Sequence, residues 1–124
     1  MARSVPHARR LVRSALDAWS LAGIAEDATL AVSELAANAV RHGSGRRMVV
    51  RVTRVGPNRV RIAVSDRSKK PPYLVTPSEN ASTGRGMHLI EAVSDRWGTD
   101  LLPWGKRVWS EHVGEPVVRA TRAD

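Results

Sequence analysis

The sequence predicts an α+β two-layer sandwich, a mixed, mostly antiparallel sheet covered on one face by helices. Three observations carry this. Apolar residues recur with a helical period through residues 5–42. The pattern then changes to strict alternation in two short segments flanking Gly56-Pro57-Asn58. A second helix-then-strands run follows a proline-bearing stretch. The 124 residues contain no long linker, repeat or low-complexity tract, so residues 1–113 are read as one domain and 114–124 as a flexible tail.

The first helix is expected over Val5–Leu21, where Val5, Ala8, Leu11, Val12, Ala15, Leu16 and Trp19 repeat at helical spacing. Ser4 is a capping residue type, and Pro6 falls in the first turn, where its missing N–H costs nothing. Gly23 is the expected stop. A second helix runs from about Ala25 to His42, with Gly43 and Gly45 beyond it. Met48, Val50 and Val52 then face one way and Arg47, Val49, Arg51 and Thr53 the other. Arg59 to Asp66 alternates again, giving an antiparallel hairpin with one buried face. Lys69 to Thr83 contains Pro71, Pro72 and Pro77 and reads as a loop long enough to be functional. Gly86–Val93 reads as a short helix. Strands at about Asp95–Thr99 and Lys106–Val113, joined near Pro103–Gly105, complete the set.

Composition narrows the function classes. No cysteine is present, which excludes a disulfide framework, thiolate metal sites and a cysteine nucleophile. No apolar run approaches the ~18–20 residues of a membrane span, so a cytoplasmic protein that avoids the membrane is expected. Twenty basic residues against twelve acidic give +8, which raises nucleic acid as a partner. The basic residues are scattered, however, and no aromatic interleaving suggests a stacking platform, so a solvated basic surface is favoured over specific nucleic-acid binding. The four histidines lack ligand spacing, and neither a Walker A motif nor a Ser–His–Asp set occurs.

Three features carry possible chemistry. On the second helix, Ala28, Val32, Leu35, Ala36 and Ala39 form an apolar face, with Asp27, Glu34, Asn38 and Arg41 opposite. Glu34 and Asn38 are one turn apart. A carboxylate there can accept a proton, and an amide oxygen can ligate Mg²⁺; the bland reading is the wet side of an amphipathic helix. Asp66 shares parity with Val60, Ile62 and Val64, so the pleat aims its carboxylate to the core side unless the strand has already ended. Thr83-Gly84-Arg85-Gly86 opens a helix, where glycines let backbone N–H groups approach an anion and Arg85 adds charge. Lys106 follows a turn glycine and could reach a phosphate, but a solvated lysine is the favoured reading. Trp97 and Trp109 are read as core or interface anchors.

The order of these features resembles a known family. Glu34-Leu35-Ala36-Ala37-Asn38-Ala39-Val40-Arg41-His42 resembles the N-box of the GHKL (Bergerat-fold) ATPases. Within that superfamily the chain is most similar to the anti-sigma factor serine kinases, through Val32-Ser33-Glu34-Leu35, Gly84-Arg85-Gly86-Met87, Trp97-Gly98 and Gly105-Lys106-Arg107-Val108-Trp109. The resemblance spans about residues 4–112.

The resemblance implies a Bergerat-type sandwich binding ATP and Mg²⁺. It implies Asn38 as the Mg²⁺ ligand and Glu34 as general base toward a serine hydroxyl. Asp66 would bind the adenine amino group, and Gly84, Arg85 and Gly86 would line the phosphates. Arg41, His42, Ser68 and Met87 are the further nucleotide-site positions. The implied partners are a sigma factor and a STAS-type anti-anti-sigma antagonist that receives the phosphate, with a homodimer as an option. Three departures stand out. The first glycine box reads Asp66-Arg67-Ser68-Lys69-Lys70, with Ser68 and Lys70 at glycine positions; the family's amino-terminal edge strand is expected to be missing; and the lid is short. Ser68 and Lys70 favour, as the alternative, a catalytically weak or inactive partner-switching module of the same fold. A basic nucleic-acid-binding domain ranks third.

Overall fold

A computed structural model of the chain describes residues 4–42, 48–67 and 81–114. Helix α1 spans Ser4–Ala18, a single 3₁₀ turn Ala22–Ile24, and helix α2 Ala25–His42. Strands β1 (Val49–Arg54) and β2 (Arg59–Asp66) follow, then helix α3 (Ala81–Val93) and strands β3 (Arg96–Leu102) and β4 (Gly105–Val113). The strand order is β1-β2-β4-β3, and every pairing is antiparallel. The sheet is therefore antiparallel throughout the described residues rather than mixed.

Helix α1 ends earlier than Gly23. Ser20 has φ 60°, its N–H donates to Asp17 O, and the Leu21 N–H reaches back to Leu16 O at 2.8 Å. This is a Schellman ending, with serine in the left-handed position that glycine usually fills. It turns Leu21 back into the core beside Leu16.

The core lies between the helices and one sheet face. Val12 and Leu16 of α1, Val32, Leu35 and Ala36 of α2, Val60, Ile62 and Val64 of β2, and Ile90 of α3 are buried there. Period 3.6 on the helices and period 2 on the strands deliver these residues to a common layer. Thr29 and Ser33, inside α2, return their hydroxyls to the carbonyls of Ala25 and Thr29 and so leave the helix unbroken. On β4, His112 is buried; its Nδ1–H donates to Val93 O at 3.0 Å, and Nε2 sits 2.9 Å from Ser110 Oγ. Burial lowers its pKa, so the imidazole is neutral and fastens β4 to the end of α3.

The glycine-bearing segment departs from expectation. Helix α3 begins at Ala81, so residues 83–86 lie inside its first turns rather than ahead of it. Only the first four N–H groups of a helix lack intrahelical acceptors. In this conformation the N–H groups of Gly84, Arg85 and Gly86 fall within the helical ladder. Most of the expected tail lies outside the described residues. Gly114 does not: it is buried and donates to Asn58 O at 2.7 Å.

Candidate functional site

Two charged side chains meet at the end of β2. The register pairs Asp66 with Lys106 across β2 and β4, so both project from the helix-covered face. Both side chains are 3% exposed, and Lys106 Nζ lies 3.2 and 3.1 Å from the two Asp66 carboxylate oxygens. The inward aim of Asp66 follows from its parity with Val60, Ile62 and Val64. Lys106 corrects its reading: it is buried in an ion pair rather than solvated. The missed signal is its shared parity with Val108 and Ser110; that Asp66 is the partner becomes visible only once the β2–β4 register is known.

Gly105 fixes this strand end. A Cβ built there would lie 1.9 Å from the Asp66 carbonyl oxygen and 2.8 Å from Arg67 Cα, so backbone meets backbone with no room for a side chain. Gly105→Ala should therefore cost about 2 kcal/mol of stability and loosen the Asp66–Lys106 pair, checked by urea unfolding. An unchanged midpoint would mean that the turn can move aside. Beside this end lies a cleft of about 320 Å³ lined by Val49, Ser65, Asp66, Arg67 and Trp104.

The second part of the site is on α2. Asn38 is not on a wet face: it is 7% exposed, because α3 packs against α2 and brings Met87 over it. Its Nδ2 donates to Met87 Sδ at 3.3 Å. A thioether is a weak acceptor, so this buried amide holds a partner that a stronger one can replace. Glu34, one turn earlier, is half-buried, while Asp27 and Arg41 are exposed. Asn38 and Met87 are thus brought together, as are Asp66 and Lys106. Ser68, Lys70 and the side chains of His42 and Arg85 lie outside the described residues, as do the surroundings of Gly84 and Gly86.

On the outer sheet face, several arginines are held in ion pairs rather than freely solvated. Glu111 is 1% exposed beneath Arg59, Arg61 and Arg96, with contacts of 2.8, 2.6 and 2.7 Å. Burial raises its pKa, but the hydrogen bonds from Arg96, Arg61 and Arg59 outweigh that and hold it at about 2. Arg61 also stacks 4.6 Å from the Trp109 ring centroid, and Gly98 lies flat beneath that ring. Arg107 pairs with Asp100 at 3.1 Å. Trp97 packs on the core face and Trp109 on the outer face. Sequence reasoning missed Glu111, whose partners lie up to 52 residues away.

A helix-borne Glu–Asn pair, a buried strand-end Asp and a glycine-bearing helix now lie on one sandwich in the order the sequence gives. The family model for the histidine kinase-like ATPase domain matches residues 1–109. The chain belongs to this family. That membership places it among the GHKL-type ATPases and supports ATP as its ligand. Among solved structures, the mycobacterial sensor histidine kinase MprB is similar, with 15% sequence identity and a TM-score of 0.55; the match covers 75% of this chain and 74% of that one. At that identity the likeness concerns the fold. No curated protein matches the chain in sequence. No helix among the described residues of this histidine kinase-like ATPase domain is long and apolar enough to cross a membrane.

Proposed function

We infer that this ATPase-family domain is an anti-sigma regulatory protein that binds Mg-ATP and phosphorylates a serine on a STAS-type antagonist. The observation that carries the nucleotide site is Asp66, a carboxylate buried at a strand end on the helix-covered face, where a base amino group can donate to it. The donor set also suits the metal: Asn38 offers a hard amide oxygen, and among the described residues its NH₂ donates to a thioether, a weak acceptor. Mg²⁺, held through Asn38, would neutralise charge on the phosphates. Glu34, half-buried one turn away, accepts the proton of the serine hydroxyl as its oxygen bonds to the γ-phosphorus and the bond to ADP breaks. Arg85 and the glycines beside it serve the phosphates once the first turns of α3 open. A sigma factor is the second partner, and a homodimer is compatible with the reading.

A second reading has its own observation. Lys106 already engages the Asp66 carboxylate, and Ser68 and Lys70 replace glycines, which favours a partner switch with weak nucleotide binding. The separating experiment is isothermal titration with Mg-ATP, followed by phosphate transfer to a STAS-type antagonist. Saturable binding and transfer are expected for the kinase. Glu34→Ala should bind nucleotide as before and lose transfer at least a hundredfold; equal transfer by the variant removes Glu34 as base.

A further inference from the structure

Lys106 has no part in the chemistry just described, yet it occupies the carboxylate on which that reading depends. We propose that Lys106 is a plug in the base subsite: its side chain covers Asp66 in the free protein, must swing aside for a purine amino group to enter, and so sets nucleotide affinity. The proposal rests on the nucleotide reading of Asp66.

Three features carry it. The Lys106 ammonium spans both Asp66 oxygens, at 3.2 and 3.1 Å, so an incoming N–H donor meets an acceptor already engaged on both sides. Both side chains are 3% exposed, so the carboxylate is buried in the paired arrangement. The backbone cannot retreat to make room, because Gly105, adjacent to Lys106, lies directly against the Asp66 carbonyl and Arg67 Cα. Opening must then come from rotation of the four-carbon lysine stem, whose low rotational barriers make it the movable member of the pair. A ligand offering a neutral N–H competes here against a charge-assisted contact and binds more weakly than at an uncovered carboxylate.

The test compares the full chain with Lys106→Thr and Lys106→Arg by titration with Mg-ATP, with circular dichroism to confirm folding. Threonine removes both the stem and the charge and suits a strand. Lys106→Thr should bind at least tenfold more tightly than the unsubstituted protein. Lys106→Arg, whose planar fork pairs with a carboxylate through two parallel bonds, should bind at least threefold more weakly. If the unsubstituted protein binds and folded Lys106→Thr binds equally or less well, the plug is overturned while the nucleotide site stands. If neither folded protein binds, the nucleotide reading has failed and the plug falls with it. Should Lys106→Thr fail to fold, the arginine variant decides: weaker binding supports the plug, and unchanged or tighter binding overturns it.

Discussion

Glu111→Gln is expected to lower the unfolding free energy by about 3 kcal/mol at neutral pH, although Glu111 lies far from the candidate site in function. Its carboxylate is the shared acceptor of Arg59, Arg61 and Arg96. Glutamine keeps the shape but removes the charge that holds three guanidinium groups together. Breaking a buried pair from one side costs about 3–5 kcal/mol, and the partial exposure of the arginines, which water can resolvate, puts this case at the lower end. The acid profile gives an independent reading. Glu111 titrates at about 2 in the folded protein against an ordinary 4.5, so its stabilisation is complete above about pH 4.5 and is lost as pH falls through the folded value. Urea unfolding between pH 7 and pH 2 should show a steeper acid loss for the unsubstituted protein than for the variant. Parallel profiles would show that the arginine cluster contributes nothing specific.

That cluster also shows where sequence reasoning stops. Helical and alternating periods located α2 at the observed residues 25–42 and β2 at 59–66, because each element turns one regularly spaced apolar face to the core. The inward aim of Asp66 followed from the same alternation. Asn38 did not: a helical wheel finds the face turned to the sheet but not a second face covered by α3, a helix that begins about forty residues later. Lys106 and Glu111 were read as solvated or passed over, since a charged residue is buried only where its partners are supplied, and those partners sit on other strands. The end of α1 escaped because Ser20 fills a position where glycine would have announced the turn. Residues 83–86 read as the opening of a helix that starts at Gly86, because glycines are poor helix formers, yet α3 already begins at Ala81 and carries them inside its first turns.

Asp66→Asn is expected to weaken Mg-ATP binding about a hundredfold, and a second substitution separates binding from stability. The first effect follows from replacing a charged acceptor with an amide: a charge-assisted hydrogen bond contributes about 1.5–3 kcal/mol, and the amide NH₂ can also present donors toward a donor. The substitution has a structural consequence as well, because it leaves the Lys106 ammonium, 3% exposed, without its carboxylate. A loss of about 3 kcal/mol in stability should accompany it. Weak binding by Asp66→Asn alone is therefore ambiguous between a missing acceptor and a disturbed strand end. Asp66→Asn combined with Lys106→Met removes both charges at nearly constant volume, and replacing both partners of a buried ion pair is often close to neutral in stability. The double variant should regain most of the lost stability in urea unfolding and still fail to bind Mg-ATP in titration. If binding returns together with stability, Asp66 serves only to hold the end of β2, and the base must be recognised elsewhere.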